Sequence, residues 1–126
     1  MPKKIETRGS DVSDRLLALT SQMLGLAGSL PDDRAGGYLS EAILRTATSA
    51  YFRHGEAESS ATAKDFANKF RETLFELRGL RRALQLLEKA GIPCDGEAVR
   101  DGLEDVDILI RIFFSSIRTL ESKAEV

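Results

Sequence analysis

The sequence is poor in the residue types that mark catalytic and metal sites. It contains one cysteine, Cys94, and one histidine, His54, in 126 residues. A lone cysteine cannot form an internal disulfide bond, which favours a reducing compartment, and we expect a cytoplasmic protein. Asp95 follows the thiol directly, whereas a reactive cysteine needs an electropositive setting. These absences argue against thiol chemistry.

Neither a zinc site nor a di-metal site is predicted, because no Cys/His cluster and no Glu-x-x-His pair is present. The glycine-rich stretch GSLPDDRAGG lacks the Gly-Lys-Ser/Thr of a phosphate-binding loop. One enzymatic alternative stays open, a hydrolase that uses His54 as a general base, although no partner stands at an evident spacing. We therefore expect no cofactor, no metal and no enzymatic activity.

Long apolar runs and an excess of basic residues are also missing. The longest uncharged apolar run is IFFSSI, whereas a membrane span needs about 20 apolar residues. The opening MPKKIETRGS lacks the apolar segment of a secretory signal. Eighteen basic residues face 20 acidic ones, so the net charge is −2. A protein that grips nucleic-acid phosphates usually shows a basic excess, and neither a membrane nor a nucleic-acid partner is favoured.

The three prolines fall between four segments with helical periodicity, since proline cannot continue a helix. We predict helices over about 11–30, 38–54, 63–90 and 97–122. Thr62 with Asp65 resembles a capping box at the start of the third helix, and Gly91 with Pro93 ends it. These segments predict an all-α fold, an antiparallel up-and-down four-helix bundle over 11–126, after a flexible tail of residues 1–10. In the fourth helix the predicted core stripe is Leu103, Val106, Ile110, Phe113, Ile117 and Leu120.

Three helices carry apolar residues on the side opposite their core stripe, since each helical residue turns the chain by about 100°. A single exposed apolar residue is common and needs no explanation. Three such sets are typical of an interface instead. We predict a homo-oligomer whose interface uses Leu17, Leu24, Phe75, Gly79, Leu86, Ile108 and Ile112. The glycine would allow a close backbone approach.

The third helix also carries a basic cluster around RGLRRA. Its arginines are Arg71, Arg78, Arg81 and Arg82, and guanidinium groups suit phosphates because they donate paired hydrogen bonds. The favoured interpretation is a solvated face on which the arginines pair with Glu72, Glu76 and Glu88. The cluster is also a possible nucleic-acid contact.

Three stretches carry a family resemblance over about residues 12–120. LAGSLPDD, YLSEAILRTATSAYFRHGEAE and TLFELRGLRRALQLLEKAGI resemble successive motifs of bacterial four-helix bundle proteins that are encoded in intervening sequences of large-subunit ribosomal RNA genes. The matching positions are Arg45, Ala47, Ser49, Glu56, Leu74, Glu76, Leu77, Leu84 and Gly91. Tyr51 and Arg53 stand where the family has proline and asparagine, which leaves open whether the second helix bends there.

The resemblance implies an up-and-down bundle that assembles into a ring-like homopentamer of unassigned molecular role. A related branch comprises accessory proteins of diversity-generating retroelements, which bind reverse transcriptase and nucleic acid through a basic surface. The acidic balance of this chain favours the first branch. We predict a non-enzymatic, self-assembling structural or interaction protein, and the alternative is a nucleic-acid-binding accessory protein.

Overall fold

The computed structural model describes residues 8–124, with side chains over 11–123. Four helices account for most of this range: α1 (Arg8–Gly28), α2 (Arg34–Glu58), α3 (Ala63–Ala90) and α4 (Gly96–Ala124). Over residues 8–124 there is no strand, which confirms the all-α prediction. In the same range no helix combines the length and the apolar character that a membrane crossing requires.

The helices run antiparallel, as contacts between them show. Arg71 and Arg81 of α3 pair with Glu121 and Asp107 of α4, so residue numbers rise on one helix as they fall on the other. The same reversal relates α1 to α2 and α2 to α3. The described helices pack in chain order, α1 also packs on α4, and the diagonal pairs do not meet. The arrangement is an up-and-down four-helix bundle with a square cross-section.

The core of α4 is centred on a different line from the predicted stripe. Leu109, which the prediction omitted, is fully buried, and Gly102 is buried as well. Leu103 and Ile110 are only half-buried and flank the core on one side. The prediction followed one series of apolar residues spaced three and four apart and passed over Leu109, whereas the buried face is rotated toward Leu109 and Gly102.

Small residues bring two helix pairs close together. A Cβ at Gly79 of α3 would lie 3.3 Å from Cγ2 of Thr46 on α2. A Cβ at Gly102 of α4 would lie 2.9 Å from Cε of Met23 on α1. The close approach at Gly79 is therefore made to a helix of the same chain.

The second helix is longer than predicted at both ends. Gly36 and Gly37 precede the predicted start at residue 38, yet both lie in the first turn of α2. The Asp33 side chain caps this turn, because it accepts a hydrogen bond from the Gly36 backbone N–H at 2.8 Å. A Cβ at Gly36 would overlap the carbonyl oxygen of Pro31 in the loop before α2, so only glycine fits at this close contact. At the other end α2 continues past Tyr51 and ends at Glu58.

The third helix has the predicted bounds, and its caps form as expected. The Thr62 hydroxyl accepts a hydrogen bond from the Asp65 backbone N–H at 3.0 Å, and Gly91 ends the helix with φ 70°. At the start of α4 the Asp95 carboxylate accepts hydrogen bonds from the next helix turn, a cap that the sequence prediction missed. α1 begins at Arg8, within the predicted tail, and residues 1–7 of that tail lie outside the described range.

Candidate interaction surfaces

Two of the four clustered arginines form ion pairs with α4. Nη2 of Arg71 lies 3.0 Å from Oε2 of Glu121, and Nη1 donates to the side-chain oxygen of Asn68 at 3.0 Å. Nε of Arg81 lies 2.7 Å from Oδ1 of Asp107, although its N–H does not point at that oxygen. Both carboxylates reduce the positive charge that these arginines can offer to a ligand.

These partners differ from the ones that the sequence suggested. Glu72 does not meet the clustered arginines, because Lys69 and Arg53 hold it at 3.3 Å and 3.6 Å. No ion pair among residues 11–123 includes Arg78 or Arg82, and both are exposed. The basic character of the cluster therefore rests on Arg78 and Arg82.

A shallow groove of about 340 Å³ runs between α3 and α4 beside these arginines. Phe75 is 74% exposed and Phe114 is 47% exposed, and both line the groove. The guanidinium carbon of Arg118 lies 6.0 Å from the centre of the Phe114 ring, within range of a cation–π contact. The groove thus has aromatic walls, and its lining carries Arg78, Arg118 and the Arg71–Glu121 ion pair, so its net positive charge comes from Arg78 and Arg118.

The predicted interface residues divide among different sides of the bundle. Leu17 and Leu24 are exposed on α1, and Phe75 and Leu86 are exposed on α3. Since α1 and α3 are diagonal partners that do not meet, these two pairs face away from each other. The predicted residues therefore do not form one continuous patch.

The remaining predicted interface residues are less exposed. Ile108 and Ile112 on α4 are half-buried, and Ile112 also packs against the core. Gly79 is half-buried against α2. Sequence reasoning missed three other exposed aromatic residues, Tyr38, Phe52 and Phe114. The same rotation about each helix axis would have placed all three outside the core.

His54 has the geometry of a packed core residue. It is 2% exposed, and its ring centre lies 5.8 Å from that of Phe70 and 5.7 Å from that of Phe113. Burial lowers the pKa of His54 below its ordinary value of 6.5, and the nearby charge of Glu58 opposes the shift in part. The imidazole is therefore neutral near pH 7.

A depression of about 480 Å³ opens beside His54 at one end of the bundle, where all four helices contribute to the wall. Phe66 and Phe70 line one side, and hydroxyl groups of α4 line the other. Over residues 8–124 no group of three or more His, Cys, Asp or Glu side chains is arranged to hold a metal ion. The arrangement offers an apolar recess with one neutral imidazole.

No protein-family model matches the chain, and no curated protein matches it. Among solved structures, the chain is similar to a protein of unknown function from the S23 ribosomal protein family of Bacteroides thetaiotaomicron. The TM-score is 0.80 and the sequence identity is 24%, over 89% of this chain and 99% of that one. The likeness shows the fold, and it extends over nearly the whole bundle.

Proposed function

We propose that this chain is a non-enzymatic structural or interaction protein that assembles into a ring-like homo-oligomer, in the cytoplasm. The observation that carries the proposal is the outward apolar surface, above all Phe75 on α3 and Leu17 on the diagonally placed α1. Large exposed apolar side chains on more than one side of a small domain offer separate contact surfaces for other copies. A ring needs two different contact surfaces on each subunit, so apolar side chains on separate sides fit a ring better than a single two-fold contact.

The family resemblance supports the same proposal. The three sequence motifs resemble proteins encoded in ribosomal RNA intervening sequences, and the structural likeness is to a protein of the S23 ribosomal protein family. The resemblance implies a ring of five subunits. The absence of an arranged catalytic set beside His54 is compatible with a role in assembly rather than catalysis.

Light scattering coupled to size-exclusion chromatography tests the proposal. We expect the wild-type chain to elute as an oligomer at micromolar concentration and Phe75→Glu to shift it toward the monomer. Gln85→Glu is the matched control, because it changes the charge of the same helix by the same amount at another exposed position. A monomeric wild-type chain would contradict self-assembly, and equal behaviour of the two variants would remove Phe75 from the interface.

Nucleic-acid binding is a second candidate, favoured by the exposure of Arg78 and Arg82. It is weaker because Arg71 and Arg81 are paired with carboxylates. If it is correct, RNA or DNA affinity falls steeply with salt, and Arg78→Gln/Arg82→Gln reduces it further. Arg45→Gln/Lys64→Gln removes the same charge from two other exposed positions and serves as control. No binding at low salt would eliminate this candidate.

A further inference from the structure

A stripe on α4 combines two carboxylates with two apolar side chains. Asp101, Asp105, Ile108 and Ile112 are spaced 4-3-4, which keeps them on one face of the helix. Asp101 is exposed and the other three are half-buried. No ion pair among residues 11–123 includes either carboxylate. We call these four residues the acidic patch.

The groove between α3 and α4 has the opposite charge. Two exposed aromatic rings lie there, Phe75 and Phe114, and two arginines lie beside them, Arg78 and Arg118. No ion pair within residues 11–123 includes either of these two arginines. We call these four residues the basic patch. Each patch thus has an apolar centre and two charges of a single sign.

The two patches lie on neighbouring sides of the bundle. Ile112 and Phe114 flank the buried Phe113 by one residue each, which places them about 100° to either side of the core direction. Phe114 borders the groove with α3, so Ile112 lies on the side of α4 that faces α1. On α4 the two sets of side chains therefore point about 160° apart, and the patches lie on the two adjacent sides of the bundle that meet at this helix.

We propose that the basic patch of one copy of this chain covers the acidic patch of the next copy. The proposal rests on the self-assembly proposed above and assigns the two surfaces that meet. Phe75 and Phe114 would cover Ile108 and Ile112, while the arginines face Asp101 and Asp105. Opposite charges around an apolar centre fix which surfaces pair and disfavour pairing of like patches.

This pairing determines the symmetry of the assembly. Because the two patches are different surfaces, the contact is head-to-tail, and it closes into a ring or continues as a helical filament. The patch centres are about ten residues apart on α4, or about 15 Å at the rise of a helix, so paired copies are inclined or staggered.

Charge reversal tests the pairing in three variants of the full chain. Arg78→Glu/Arg118→Glu makes both patches acidic, and Asp101→Arg/Asp105→Arg makes both basic. The quadruple variant exchanges the two charges and restores complementarity. Arg45→Glu/Lys64→Glu reverses two exposed charges elsewhere and matches the net charge of the first variant. Sedimentation equilibrium measures association, and circular dichroism verifies that each variant retains its helices.

We expect each double reversal to weaken association by about tenfold or more, and the quadruple variant to recover it. An equimolar mixture of the two double variants should also associate, because each patch of one chain then meets a patch of opposite charge on the other. Double reversals that associate like the control would overturn the pairing and leave self-assembly intact. Loss without recovery in the quadruple variant would overturn it too. A monomeric wild-type chain would overturn both proposals.

Discussion

The two faces of α3 carry the same residue types in opposite surroundings. Leu84 is fully buried, whereas Leu86, two residues later, is 54% exposed. Phe70 packs beside His54 and Phe113, whereas Phe75 stands at the surface. The inner face accounts for the fold by burying apolar area. The outer face contributes little to that burial, so its apolar residues require another explanation, and association between copies provides one.

The largest expected effect is a difference in the free energy of unfolding between variants of Leu84 and Leu86. Leu84→Ala should lower the free energy of unfolding by about 2–5 kcal/mol, because it removes buried atoms and leaves a cavity. Leu86→Ala should change it by about 0.5 kcal/mol or less, as for a surface position. Chemical denaturation at the lowest practical protein concentration measures both, because association then contributes least.

Similar losses in the two leucine variants would contradict the comparison of faces. Such a result would mean that Leu86 is buried in the folded monomer. A loss for Leu86→Ala that grows with protein concentration would instead indicate that this residue is buried by a second copy.

A smaller effect distinguishes two helical glycines. Gly102→Ala should change the free energy of unfolding by less than about 0.5 kcal/mol, because its Cβ would displace Cε of Met23, the far end of a flexible side chain, and the gain in helix propensity offsets that shift. Gly25→Ala should stabilise it by up to about 1 kcal/mol, because Gly25 lies within α1 with open space around the added atom. Thermal unfolding of both variants gives the signs. A loss of more than about 1 kcal/mol for Gly102→Ala would show that the buried Met23 side chain cannot move aside.

The smallest expected effect is a pH dependence of stability from His54, the buried histidine of α2. Because burial lowers the pKa of His54 in the fold, the unfolded chain binds more protons near and below pH 6.5. Stability should therefore be complete above the unfolded value and decline as the pH falls from about 7.5 to about 5.5. The pKa of Glu56 is lowered, chiefly by its hydrogen bond with Lys69, so this carboxylate stays ionised in that range.

His54→Gln is the control, since His54 is the one histidine of the chain. Thermal unfolding at several pH values should show a flatter profile for this variant than for the wild-type chain. An unchanged slope would assign the pH dependence to other groups.

Local signals in the sequence predicted the third helix in full. Thr62 and Gly91 act within one turn of their own positions, so no knowledge of the fold is needed to place the ends. The start of α2 was predicted too late, because it depends on a contact with the preceding loop rather than on a local signal. Two adjacent glycines, Gly36 and Gly37, are typical of a break between helices. Only the contact between Gly36 and Pro31 shows why glycine lies inside a helix there.

Features that depend on neighbouring helices could not be predicted from spacing. Arg71 and Arg81 of α3 pair with Glu121 and Asp107 of α4, although three glutamates of α3 are closer to them in sequence. Gly79 was predicted to allow close approach of another copy, whereas a Cβ there would meet Thr46 of the same chain, and its place in an interface stays a prediction. Side-chain pairing across helices is set by how the helices rotate about their axes, which apolar periodicity defines only coarsely.

An even number of antiparallel helices places the start of α1 and the finish of α4 at the same end of the bundle, together with the turn between α2 and α3. The two turns that contain Pro31 and Pro93 occupy the opposite end. A circular permutant that links α4 to α1 and opens the chain at residues 59–62 would therefore keep every helix and both proline turns.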